Sequence, residues 1–108
     1  METGVSVDQR DGAVIVSARG EVDMDFAPDV MAAIDPYLGV ADHLVVDLSE
    51  VTFMDSSGLG VLVASAQRVG DGRLTVVVAT DRVRRVMEIS GLDQLIPVVD
   101  TLQAALAR

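Results

Sequence analysis

The residues best placed to do chemistry are Asp55-Ser56-Ser57-Gly58-Leu59-Gly60, which follow an apolar run and open a segment of helical periodicity. A helix start carries unpaired backbone N–H groups and the positive end of the helix dipole. It therefore suits a capping Ser or Asp, and it equally suits a phosphate. Ser56 is the candidate hydroxyl for modification. Asp55 either orients that hydroxyl or acts as a plain N-cap. Ser57 is the alternative acceptor, read more readily as a capping or packing residue. Gly58 and Gly60 each cost a helix roughly 1 kcal/mol relative to alanine. Two of them in the first turns point to a surface kept free of side chains so that another backbone can approach. The plain alternative is an ordinary cap whose small residues lie against a strand.

Other chemistries find little support. There is no cysteine, so disulfides, thiolate metal sites and a cysteine nucleophile are excluded. One histidine, His43, cannot build a His-rich metal site, and it reads as ordinary surface before a strand. A hydrolase triad of Ser56, His43 and an aspartate lacks the Gly-x-Ser-x-Gly elbow. Gly58 and Gly60 do not make a P-loop, because Gly-x-x-x-x-Gly-Lys-Ser/Thr is absent. No metal or cofactor is expected.

Charge narrows the partners. The 108 residues carry 17 acids and 8 arginines, with no lysine, for a net charge of −9. Such a surface repels phosphates, so neither nucleic acid nor an anionic membrane is an expected partner. Residues 1–55 hold twelve acids and two arginines, while residues 56–108 hold five acids and six arginines. The first half either scatters its acids over a solvated surface or presents an acidic face to a basic partner. No apolar run approaches the roughly 18 residues of a membrane span, and no charged-then-apolar leader opens the chain. One cytoplasmic, monomeric domain is expected.

The elements that must position these residues follow from periodicity. Val5–Gln9 and Ala13–Ala18 flank Asp11-Gly12 and read as a hairpin, with Gly20-Glu21-Val22-Asp23 ending the second strand. Phe26, Val30, Ile34 and Leu38 recur at spacing four and predict a helix, with Pro28 in its first turn and Pro36 stopping or kinking it. His43–Leu48 predicts the central strand, and Ser49–Met54 a connection anchored by Val51 and Phe53. A helix over Ser56–Val69 is expected to bury Leu59, Leu62, Val63, Ala66 and Val69, before Gly70-Asp71-Gly72 stops it. Leu74–Ala79 predicts a buried strand. Thr80 or Asp81 caps a third helix, with Val83, Val86 and Met87 facing in and Arg82, Arg84 and Arg85 forming a basic cluster. Ser90-Gly91-Leu92 is a C-terminal stop. Pro97 allows Leu95–Val99 an edge strand at most, and a short helix closes the chain from Asp100 or Thr101. The order β-β-α-β-α-β-α-(β)-α implies a mixed sheet with helices covering at least one face.

The stretch Val45–Leu48 followed by Val51–Leu62 resembles the STAS domain of bacterial anti-sigma-factor antagonists. Gly20-Glu21-Val22-Asp23 is similar to that family's Gly-Glu-Leu/Ile-Asp segment after strand two, and Ser90-Gly91-Leu92 to its Ser-Gly-Leu near the C-terminus. The resemblance spans essentially the whole chain, in order. It implies one α/β domain over residues 1–108 with the STAS fold: a mixed four- to five-stranded sheet, an N-terminal hairpin and about four helices. It implies a partner switch and no catalysis. The unmodified protein binds an anti-sigma factor that is also a serine kinase, and so frees a sigma factor. The kinase phosphorylates the serine after the motif aspartate, here Ser56, and binding is lost. A PP2C-type phosphatase restores it. Asp23, Asp55, Ser56, Ser57, Gly58, Leu59 and Gly60 are the expected contact residues. The same family resemblance also admits a stand-alone accessory subunit of a transporter or of a stress-signalling assembly. The run Asp23-Met24-Asp25-Phe26 before Pro28 departs from the family pattern at the start of the first helix.

Overall fold

A computed structural model describes residues 2–70 and 72–108. Five strands form one sheet in chain order: β1 (Gly4–Arg10), β2 (Ala13–Val22), β3 (His43–Met54), β4 (Leu74–Val77) and β5 (Val98–Val99). The β1–β2 pair is antiparallel and the other three pairs are parallel. Asp11 and Gly12 both take positive φ, 50° and 83°, as the tight hairpin turn requires. The helices are α1 (Ala27–Ile34), α2 (Ser56–Val69), α3 (Asp81–Ser90) and α4 (Leu102–Leu106), with 3-10 turns at Asp35–Tyr37 and Leu92–Gln94.

Serial strand order fixes where the helices go. Each β-helix-β crossover between neighbouring parallel strands is right-handed, so α1, α2 and α3 all land on one face. That face holds the main core: Val14, Val16, Leu44, Val46, Leu48 and Val76 from the strands and Val78 just past β4, against Val30, Ile34, Leu62, Val83 and Met87 from the helices. Helix α4 follows the last strand and serves no crossover. It covers the opposite face, where Ala105 packs on Ile15, Val45 and Val77.

One expectation about the strands is corrected. β2 ends at Val22, within the Gly20–Asp23 segment expected to end it, but Ser49–Met54 is not a connection; β3 runs on to Met54. The register shifts between Ser17 and Arg19 and again between Gly20 and Glu21, each time with an extra residue on β3. These bulges break the period of two, so the inward residues of β3 run Leu44, Val46, Leu48 and then Val51 and Met54. Gly20 sits at φ 95° in this bent stretch. Pairing of β3 with β4 stops at Asp47, so Leu48–Met54 continues as a two-stranded ribbon with β2. The ribbon carries the starts of α1 and α2 past the edge of the wider sheet.

The inward face of α2 is also turned from the expected one. Gly58, Val61, Leu62, Ser65 and Val69 are buried, while Leu59, Val63 and Ala66 lie half-buried on its flank. Ser65 is fully buried because its hydroxyl donates to Val61 O at 2.7 Å within the helix. The stop after α2 includes Gly70 at φ 88°, whereas Asp71 lies outside the described residues.

Candidate functional site

The site is assembled at the C-terminal ends of parallel strands, where open α/β sheets usually bind ligands. Asp55 leaves β3 with extended backbone and caps α2, its Oδ1 accepting from Ser57 N at 2.8 Å. Its own N–H donates to Val22 O at 3.3 Å, tying the loop to the end of β2. Ser56 is the first helical residue and is exposed. Ser57 is half-buried. The first turn of α2 contains no acidic residue, whereas α1 has Asp29 and α3 has Asp81 there. The positive end of the α2 dipole therefore meets only the Asp55 cap.

Asp23 sits beside this loop, because Val22 pairs with Met54. It is half-buried, and its Oδ1 accepts from Asp25 N at 3.1 Å and Phe26 N at 3.0 Å. That carboxylate shapes the turn into α1. The two glycines differ in role. Gly58 is buried, and a Cβ there would stand 2.6 Å from Met54 Cγ, so the helix rests directly on the strand end. Gly58 therefore packs against Met54 and offers a partner little surface. Gly60 is exposed with open space where a Cβ would go. Leu59 lies half-buried on the other flank.

Sequence reasoning missed a neighbour of the site. Met24, Ala27, Pro28 and Met31 line an apolar groove of about 380 Å³ between α1 and α2, with Ser57, Gly60, Val61 and Ala64. Met24 is 73% exposed. An exposed methionine in a loop between two aspartates was the signal available.

His43 does not join Ser56; the two lie at opposite ends of the 12-residue β3, so no triad forms. Nor is His43 ordinary surface. It is half-buried on the α4 face, its Nε2 3.0 Å from Thr75 Oγ1. Burial, and secondarily the charge of Arg108, lower its pKa from the usual 6.5. The arginines of α3 divide. Arg84 binds Asp100 at 3.0 Å and Val78 O at 2.9 Å, while Arg82 and Arg85 are exposed with no ion pair among the described residues. Among the described residues no group of acids and histidines is arranged to hold a metal, and no helix is long and apolar enough to cross a membrane.

Three comparisons bear on this arrangement. The STAS domain profile matches residues 4–105. The anti-sigma-F factor antagonist RsfB of Mycobacterium tuberculosis is 37% identical, over 94% of this chain and 85% of its own. A crystal structure of an anti-sigma factor antagonist from Mycobacterium paratuberculosis superposes with a TM-score of 0.92 at 35% identity, covering 98% of this chain and 92% of that one. The Bacillus cell fate determinant SpoIIAA, solved in its phosphorylated form, shares the fold with a TM-score of 0.73 at 22% identity, over 97% of this chain and 98% of that one.

Proposed function

The chain belongs to the STAS-domain family of anti-sigma-factor antagonists, and we propose that it works as one, a regulatory binding protein and not an enzyme. Unphosphorylated, it docks on an anti-sigma factor with serine kinase activity and releases a sigma factor in the cytoplasm. The kinase transfers a phosphoryl group to Ser56, and docking is lost. A PP2C-type phosphatase resets the switch. Asp55, Ser56, Ser57, Leu59 and Gly60 supply the contact surface, Asp23 shapes the adjoining turn, and Gly58 seats the helix. The observation that carries this reading is Ser56, an exposed residue on the first turn of a helix that holds no acid of its own. A phosphorylated SpoIIAA of the same fold supports it.

Phosphorylation adds about −1.5 to −2 of charge. In the free protein that charge meets the helix dipole, an interaction worth about 0.3–1 kcal/mol in its favour. In a docked complex the same charge is desolvated and crowded beside Asp55. A loss of about 3 kcal/mol there lowers affinity by roughly two powers of ten. Intact-mass and site-mapping analysis tests the acceptor, after incubation with a candidate anti-sigma kinase and ATP. One phosphoryl group on Ser56, and none on the Ser56→Ala variant, is the expected result. Modification confined to Ser57 or elsewhere would overturn the assignment.

A further inference from the structure

The three parallel helices form one face whose two sides differ in charge. On the α1 side, residues 20–34 contain Glu21, Asp23, Asp25 and Asp29 and no basic residue. On the α3 side, Asp81–Ser90 carries three arginines against Asp81 and Glu88, and Arg82 and Arg85 are exposed without an ion pair among the described residues. Apolar surface accompanies each side. The α1 side has the Met24 groove described above. The far side has a second groove of about 260 Å³, lined by Val63, Ala66, Gln67, Leu92, Leu95 and Ile96. Leu95 is 74% exposed and Ile89, on α3, is 75% exposed. Helical spacing puts Ile89 with Arg82 and Val86 on one flank of α3, away from Arg84 and Glu88, which line a cavity with Val98 of the edge strand. That flank therefore faces the α2 side. Between the two grooves runs the outer ridge of α2: Ser56, Gly60, Val63 and Gln67. Residues 56–67 carry no charge at all, which is unusual for the solvent side of a surface helix.

This pattern is self-complementary. We propose that the helical face docks a second copy of this chain, around a twofold axis lying along α2. Such an axis sets α1 of one copy over α3 of the other, and does so twice. Asp25 and Asp29 then face Arg82 and Arg85 of the second copy at the same height, because all lie near the first turns of parallel helices. The uncharged α2 ridges meet at the axis, and bare Gly60 allows close approach. An axis across the helices would stack acid on acid and is disfavoured. The contact is isologous, so assembly stops at two. A face of a molecule measuring 29 × 25 × 24 Å is limited to about 800 Å² per partner, the size of an ordinary reversible contact. Ser56 lies on the ridge, so phosphates on both copies would approach each other across the axis. A second copy and a docked anti-sigma factor would also exclude each other.

Sedimentation velocity on the chain alone tests this without any partner, from about 1 μM to about 1 mM. The expected result is reversible growth from 11.4 kDa to twice that mass and no further, weakened by salt. Asp25→Arg with Asp29→Arg, and separately Arg82→Glu with Arg85→Glu, should each weaken the dimer about tenfold or more through like-charge contact. Mixing the two variants should restore it. Ser56→Asp should weaken it in the same direction. Thermal melts that match the wild type show that the variants are folded. A mass that stays at one chain throughout would overturn the proposal. So would growth beyond two copies, or charge-reversed variants that dimerise as the parent does and gain nothing when mixed.

Discussion

The starts of α2 and α3 use the same capping chemistry to opposite ends. Each follows a parallel strand, and each has an extended N-cap whose side-chain oxygen accepts a backbone N–H: Asp55 from Ser57 at 2.8 Å, Thr80 from Val83 at 3.4 Å. Thr80 is tied down further, since its hydroxyl donates to Val51 O at 3.3 Å. The next residue of α3, Asp81, already supplies a negative charge to the dipole, and Arg84 is held by Asp100 and Val78 O. At α2 the ribbon lifts the cap past the sheet edge, the next residue is an exposed serine, and no acid follows. The comparison teaches that a cap alone makes no switch. What distinguishes α2 is an exposed serine together with a dipole left free to receive charge.

Removing the floor beneath α2 should have the largest effect on the comparison. Met54→Ala deletes a buried side chain that meets Gly58, and should cost about 2–5 kcal/mol by urea denaturation. Adding Gly58→Ala to it should recover part of that loss, because the new Cβ enters the vacated space. Strict additivity of the two substitutions would contradict the close approach of Gly58 to Met54. Next come the caps. Asp55→Ala and Thr80→Ala should each lower stability by about 1 kcal/mol in the same assay. Only Asp55→Ala should also weaken an anti-sigma factor in a calorimetric titration. Equal binding losses from both would erase the distinction between the two helix starts.

Gly60→Ala sharpens the contrast from the other direction. Open space surrounds the position, so the substitution should raise stability by somewhat less than about 1 kcal/mol. Partner binding should fall nonetheless, because the bare surface is lost. A variant more stable and equally good at binding would show that the glycine serves no contact. The smallest effect lies at the far end of β3. Burial lowers the pKa of His43, so the unfolded chain binds a proton more readily than the folded one below about pH 6.5. Stability should therefore be full above that value and decline as the pH falls through the lowered folded pKa. His43→Gln should flatten this dependence in thermal melts from pH 8 to 5, and leave partner binding at neutral pH unchanged.

Much of this architecture was legible in the residues, where local signals and tertiary demands agree. The Phe26–Val30–Ile34–Leu38 stripe is buried throughout. Asp55 and Thr80 cap the helices their positions predict, and Gly91 ends α3 at φ 78°. Pro97 confines β5 to a two-residue edge strand. The long ribbon was not legible, because two bulges shift the inward set from alternate residues to Val51 and Met54, and a period of two then misreads the strand as a loop. The face of α2 was misjudged for a related reason. Side-chain size pointed to Leu59, Val63 and Ala66, but contact of Gly58 with Met54 rotates these to the flank and buries Ser65. That rotation leaves α2 with an uncharged outer surface. Ser56 itself was legible from its aspartate and its place before a helix.

The most direct measurement compares chain phosphorylated at Ser56 with unmodified chain, by calorimetric titration into an anti-sigma factor that binds the unmodified form, with a thermal melt of each. Affinity should fall by about a hundredfold or more while the melting temperatures stay within a degree or two. Equal affinities, or a loss of binding that merely follows a loss of folding, would contradict the account of a local charge placed on an intact fold.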